Sequence, residues 1–352
     1  MVKSIFKVLF WLIVLSVVVL GFLIAYATFS DYKPPKQEIV AESSGVDLNP
    51  GWPEIDIMIW NIGYCGLSSE MDFFYDGGKM VRTSRKQVLE NLEQVISELK
   101  ENDTLEFILL QEVDVDSKRT YGINVYDSIS QNMPVYRSFF GKNYDVFFVP
   151  LPPANPMGNV NSGLQTLSKP EPSNSVRWSF PGSFAWPKSL FMLDRCFLVN
   201  RYKMQNGKEL LIINTHNSAY DTGGILRTQE MNYLRDFLKS EYDKGNYVLV
   251  GGDWNQSPPG FKPEFEEDVF DDVDFTLIPD GYLPEGWQWV YDKATPTNRR
   301  LMSSFTRGVT PTTIIDFYLL SPNIEAMFVN TLDKEFRNSD HQPVRLKIKL
   351  IN

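Results

Sequence analysis

The chain contains only two histidines, His216 and His341, and both stand among residues able to move protons or bind a cation. His341 directly follows Asp340, and His216 closes the segment Asn214-Thr215-His216. The other residues of this kind are Asn61, Glu112, the pair Asp253 and Asn255, and Asp316. Carboxylate and amide oxygens are what hard cations such as Mg²⁺ prefer. Imidazole titrates near neutral pH and can serve as a general base. Together these are the components of cation-assisted hydrolysis. Each residue also has an ordinary reading. Asp253 and Asn255 fit an Asx turn after a strand, Glu112 a solvated strand end, and Asp340 a loop charge. Asp316 is harder to dismiss, because a carboxylate amid Ile314, Ile315, Phe317 and Tyr318 needs a partner if buried.

These residues lie at the ends of short apolar runs. Asn61 follows Ile55–Trp60, Glu112 follows Phe107–Gln111, and His216 follows Glu209–Thr215. Asp253 and Asn255 follow Tyr247–Val250, Asp316 sits within Ile314–Leu320, and Asp340-His341 precede Val344–Leu350. Runs of this length read as strands, as does Tyr144–Val149. Phe197–Met204 joins Glu209–Thr215 through an Asn206-Gly207 turn of the hairpin kind. Residues 85–101 carry Val88, Leu92, Val95, Ile96 and Leu99 at helical spacing, and residues 226–242 do so with Met231, Leu234, Phe237 and Leu238. Hairpins mixed with crossover helices predict layered sheets with helices outside. Strand ends meeting at one edge would gather distant residues into a single site. Segments 151–189 and 256–300 show no period and read as functional loops or insertions.

The formal charge is −10, which excludes holding nucleic acid by broad phosphate neutralisation. Cys65 and Cys196 are the only cysteines, which argues against a structural zinc site and leaves a disulfide or two free thiols open. Val8–Ala27 is uncharged and, as a helix, would span roughly 30 Å, the thickness of a bilayer's apolar core. Lys3 and Lys7 precede it, favouring a cytoplasmic N-terminus and a single-pass anchor over residues 1–30 with an extracytoplasmic domain. Ala25-Tyr26-Ala27 resembles a signal-peptide cleavage site, so secretion is the alternative; the apolar run exceeds the usual ~7–15 residues. Residues 31–53, with Pro34, Pro35, Pro50 and Pro53, read as a tether to a domain over 54–352.

Seven segments occur in a telling order: Trp60-Asn61, Gln111-Glu112, residues 161–168 (NSGLQTLS), 214–216 (NTH), 252–255 (GDWN), 315–321 (IDFYLLS) and 339–344 (SDHQPV). In this order they resemble the endonuclease/exonuclease/phosphatase superfamily, the fold of deoxyribonuclease I and of neutral sphingomyelinases. The resemblance implies an α+β, four-layer sandwich of two packed mixed β-sheets flanked by helices. It also implies hydrolysis of a phosphoester with Mg²⁺, or Mn²⁺ in its place. Glu112, Asn61 and Asp340 would hold the cation. His341, oriented by Asp316, would activate water, with Asp253 positioning it or sharing the base role. His216 and Asn255 would donate to phosphoryl oxygens, and Arg119 could add a contact to phosphate, although a surface position is its plainer reading. Ile62-Gly63 after Asn61 lacks the acidic residue of the abasic-site repair branch, which disfavours DNA repair.

The expected substrate is a small or lipid-linked phosphoester. Two alternatives stay open: an exported nuclease, and a membrane-tethered binding module without activity. Residues 264–280 carry eight acidic side chains and no basic one, which beside the site would repel long polyanions. Trp178, Phe180, Phe184, Trp186, Trp287, Trp289 and Tyr291 read as core, or as an exposed rim touching headgroups or a base. No segment suggests a protein partner.

Overall fold

The computed structural model describes residues 2–43, 54–219, 221, 223–262 and 277–351. Helix α1 spans Val2–Ser30. Over Lys3–Ser30 it is long and apolar enough to cross a membrane, and its most apolar stretch of 18 residues has a mean hydropathy of 3.0. The tether then departs from expectation. Gln37–Glu42 forms strand β1, paired antiparallel along its length with β6 (Asn174–Ser179). The Pro34-Pro35 pair before this six-residue strand, with Pro50 and Pro53 after it, masks its pattern. Residues 44–53 lie outside the described residues.

The remaining strands are β2 (Ile55–Asn61), β3 (Phe107–Asp114), β4 (Arg137–Val149), β5 (Gly158–Ser168), β7 (Cys196–Lys203), β8 (Glu209–His216) and β9 (Tyr247–Asp253). They continue with β10 (Gln288–Val290), β11 (Asn298–Arg299), β12 (Thr312–Thr313), β13 (Asp316–Leu320), β14 (Ile324–Thr331) and β15 (Val344–Leu350). Among the described residues the further α-helices are α2 (Arg85–Glu101), α3 (Val125–Asn132) and α4 (Ile225–Asp243). One sheet has the order β1-β6-β7-β8-β9-β13-β10 and a second the order β14-β15-β2-β3-β5-β4. Both are mixed: β8–β9 and β2–β3 are parallel, their other pairings antiparallel.

The period-two geometry of a strand sorts its side chains between layers. Ile57 and Ile59 of β2 pack between the sheets with Phe107, Leu109, Leu249, Tyr318 and Leu346. Met58 and Trp60 point the other way, against Val88, Leu92, Val95 and Leu99 of α2 and Ile129 of α3. On the opposite face α4 buries Met231, Leu234 and Leu238 against Leu211, Ile213, Val248 and Val250. Strands apolar on both faces read as continuous hydrophobic runs, which is why these central strands were visible in sequence. The result is helix, sheet, sheet, helix: the four layers expected.

Residues 151–189 are more regular than expected, since they contain all of β5 and of β6. Strand β4 begins seven residues before the expected Tyr144, with register shifts at Lys142/Tyr144 and Val146/Val149 that break its alternation. Cys65 and Cys196 are free and buried. Trp178, Phe180, Trp287, Trp289 and Tyr291 pack into or against the core beneath α4. The acidic stretch of 264–280 lies, up to residue 276, outside the described residues.

Candidate active site

The two sheets bring their polar strand ends to one edge. Across β8 and β9 His216 stands opposite Asp253, and across β9 and β13 Asp253 stands opposite Asp316. In the second sheet Asn61 ends β2 beside Gln111 of β3. Asp340 and His341 sit just before β15. Trp60 Nε1 donates to the His341 carbonyl at 3.1 Å, and Ser339 Oγ donates to the Asn61 carbonyl at 2.8 Å, pinning that loop to β2. Beneath them Gln111 Nε2 donates to Asn214 Oδ1 at 2.7 Å, and Asn214 Nδ2 donates to the carbonyls of Leu110 and Gln165, a buried link between the sheets.

The backbone is bent to aim these groups. Glu112 has φ +55° and lies in a register shift between Leu110 and Val113, so a bulge turns it out of the ladder. Gly252 has φ +149°, and a Cβ there would stand 2.0 Å from the Thr215 carbonyl oxygen. Only glycine fits, and its turn directs Asp253 into the site. Asn255 has φ +49°. Non-glycine residues in this region cost about 1–3 kcal/mol, and they concentrate at functional sites.

A cleft of about 770 Å³ opens over this edge, lined by Glu112, His216, Asp253, Asn255 and Asp340 among others. His341 Nδ1 lies 2.8 Å from Asp316 Oδ2. Its Nε2 faces the amide nitrogens of Asn298 (3.0 Å) and Asn61 (3.4 Å). Asp253 Oδ2 is the hub, accepting from Asn61 Nδ2 at 3.0 Å and lying 3.4 Å from His216 Nε2 and 3.8 Å from His341 Nε2. Asn61 Nδ2 also reaches Glu112 Oε1 at 3.4 Å.

The charges conflict. Burial, with the like charge of Glu112, pushes the Asp340 carboxyl up to about 7 against the pull of His341. Burial also lifts Asp253, to about 6. Burial opposes an imidazolium at His341, but Asp316, Asp340 and Asp253 together outweigh it and hold the pKa well above the ordinary value. His216 is driven well below its ordinary value by burial and by Arg195, and so stays neutral. The buried atoms without a hydrogen-bond partner among the described residues include His216 Nδ1, Asp316 Oδ1 and Arg195 Nη1. Glu112 and Asp340 offer oxygen atoms of the kind a hard divalent cation prefers.

The structure thus brings together Asn61, Glu112, His216, Asp253, Asn255, Asp316, Asp340 and His341. Three details differ from expectation. Asn61 turns its amide nitrogen to the carboxylates, while its Oδ1 accepts from the Gly63 N–H at 3.0 Å. His216 faces Asp253, and Asn255 Nδ2 donates to the Asn217 carbonyl at 2.9 Å. Arg119 is buried rather than on the surface. It lines the cleft but spends Nε and Nη2 on Asp114 at 3.1 and 2.8 Å and stacks over the Tyr64 ring at 3.7 Å. Two participants had no sequence signal, Asn298 and Arg195. Arg195 lines the cleft, and burial lowers its pKa despite the carboxylates of Glu230, Asp253 and Glu112.

No family model matches the chain, and no curated protein matches it. Solved structures do. An endonuclease/exonuclease/phosphatase from Beutenbergia cavernae superposes with a TM-score of 0.58 at 15% identity, covering 85% of this chain and 72% of that one. The chain has the endonuclease/exonuclease/phosphatase fold. The D. rerio TDP2 structure with single-strand DNA product shares this fold at a TM-score of 0.53 and 14% identity, covering 84% of this chain and 98% of that one. So does the endonuclease/exonuclease/phosphatase from Bacteroides vulgatus, at 0.52 and 16%, covering 84% and 99%.

Proposed function

We propose that this chain is a divalent-cation-dependent phosphoester hydrolase, anchored by α1, whose base is His341. The observation that carries this reading is the His341–Asp316 contact of 2.8 Å, next to Asp253 and Asp340, which line a cleft with Glu112. Asp316 accepts Nδ1–H, which fixes the tautomer and leaves Nε2 as an acceptor beside Asn298 and Asn61. The amide donors of Asn298 and Asn61 at Nε2 suit that neutral ring, whereas the surrounding carboxylates favour the charged one. Neutralising Asp340 removes one of the charges that hold the ring protonated, and tips it toward the form that accepts a proton.

Glu112 and Asp340 are the residues suited to hold Mg²⁺ or Mn²⁺, which when bound would neutralise the phosphoryl oxygens. Asp253, Asp316 and His341 also offer ligating atoms within 4.8 Å of one another. That cluster is the proton-handling half of the site, because the Asp316–His341 hydrogen bond already occupies one ring nitrogen. In the reaction, the oxygen of a water bonds to phosphorus as its proton passes to His341 Nε2. One P–O ester bond breaks, the departing alcohol oxygen takes a proton from solvent, and His341 then returns its own proton to solvent. Asp253, steadied by Asn61 and neutral His216, orients the water. Arg195 Nη1 is a free donor for a phosphoryl oxygen.

Full-length protein should hydrolyse bis(p-nitrophenyl) phosphate with Mg²⁺ and lose turnover in EDTA. His341→Ala should lower kcat at least ~100-fold, as expected for lost acid–base catalysis. Turnover that survives both treatments would sink the proposal. A second reading, nuclease activity, is favoured by the TDP2 likeness, since that structure holds a single-strand DNA product. The net charge of −10 weighs against it. A single-stranded oligonucleotide in the same assay separates the two.

A further inference from the structure

The end of α1 and the apolar wall of the cleft are built on the same two segments. The Tyr26 ring meets Phe147 edge-on at 4.9 Å, and Trp186 Nε1 donates to Thr28 Oγ1 at 3.3 Å. Ala27 is buried between these contacts. From Phe147 the chain runs on into Val149, Pro150 and Leu151, which line the cleft, and around Trp186 stand Phe184 and Lys188, which line it too. Lys188 Nζ lies 3.8 Å over the Phe184 ring.

Tyr26, Ala27 and Thr28 lie in the last turns of the helix, just before Asp31 ends its uncharged run, so these contacts lie at the level where a spanning helix leaves hydrocarbon. Aromatic side chains concentrate at that boundary. The side chains left open to solvent there are large and apolar: Phe147 is 39%, Leu151 46% and Trp186 62% exposed. A collar of this kind, held against a membrane helix, cannot stand far from the bilayer that the helix crosses.

We infer that this collar sits in the headgroup–acyl boundary and turns the mouth of the cleft to the membrane, so that the phosphoester it takes is the headgroup of a lipid still seated in that leaflet. The substrate half rests on the proposed hydrolase activity; the seating of the collar does not. Water adds to the lipid phosphorus, one P–O ester bond breaks, and the alcohol that leaves takes a proton, as in the reaction above.

Two measurements on the full chain test this. Cys65 and Cys196 are buried, so an added cysteine can be labelled alone. A nitrobenzoxadiazole label on Leu151→Cys, in phosphatidylcholine vesicles, should be quenched by lipids bearing a shallow spin label. The same label on Val135→Cys, beyond the far end of β4 and about 40 Å away, should be quenched by aqueous iodide instead. Equal iodide quenching at both positions overturns the seating. Next, Phe147→Ser/Trp186→Ser should cut hydrolysis in vesicles of phosphatidylcholine, phosphatidylglycerol and sphingomyelin at least about tenfold, leaving bis(p-nitrophenyl) phosphate within about twofold. Equal loss on both substrates, or none on vesicles, overturns the role of the collar. Wild-type protein that cleaves the soluble ester but no vesicle lipid refutes the lipid assignment alone. Failure on both refutes the hydrolase, and the quenching result then still decides the seating.

Discussion

The lower and upper ends of β9 follow opposite rules. Tyr247, Leu249 and Val250 are apolar, buried and in ordinary strand register, with Leu249 beside Ile212 and Leu320. Four residues on from Leu249, Asp253 is just as buried but carries a charge, follows a glycine at φ +149°, and shares its carboxylate among Asn61, His216 and His341. One strand therefore stabilises the fold at one end and carries a destabilising arrangement at the other. The sandwich beneath is what keeps strained backbone and crowded carboxylates in place.

The largest expected effect breaks the lower end. Leu249→Ala opens a cavity between the sheets and should cost about 2–5 kcal/mol of stability in denaturant unfolding. At a temperature where the variant stays folded, kcat should remain within about twofold of wild type. A stability loss below about 1 kcal/mol would show that the site and the core do not divide along the strand as described.

The mirror-image change is Asp253→Asn. Turnover should fall by about 100-fold, roughly 2.7 kcal/mol in barrier, because the hub of the hydrogen-bond network loses its charge. Stability should hold or rise in cation-free protein, since burial already resists the Asp253 carboxylate and lifts it to about 6. Thermal unfolding checks this: a marked fall in Tm would mean that the carboxylate supports the fold rather than strains it.

The same contrast governs what was legible in the sequence. Ile55–Trp60, Phe107–Gln111 and Tyr247–Val250 stood out because strands buried on both faces leave no polar break until they reach the cleft, and that break marked Asn61, Glu112 and Asp253. Scarcity of histidine singled out His216 and His341. Less was visible at the edges. Strands β1, β6 and β14 carry exposed or half-buried side chains, so their patterns resemble loops. Arg195 sits in Leu193-Asp194-Arg195-Cys196, where nothing separates a clefted guanidinium from a surface one. Its meaning depends on the fold closing around it. The direction of the Asn61 amide is likewise set by the Gly63 N–H, a contact between neighbours that residue type alone does not specify.

The smallest expected effect concerns a buried carboxylate far from the cleft that is matched rather than strained. Burial disfavours the Glu241 charge, but Arg201, at 2.7 and 2.9 Å, with Lys244 and Asn246, outweighs it and lowers the pKa to about 2. A depressed carboxylate gives stability that is fully present above its unfolded pKa, near 4.5, and is lost as pH falls toward 2. Asp253 and Asp340 have the opposite sign, because raised carboxylates favour the folded state more as pH falls from about 7 toward 4. The difference between wild type and Glu241→Gln cancels those site contributions. That difference should be about 1–2 kcal/mol at pH 7 and should shrink steadily between pH 4.5 and 2. A gap that stays constant with pH would assign the loss at Glu241→Gln to packing, leaving no role for a matched charge at this end of the molecule.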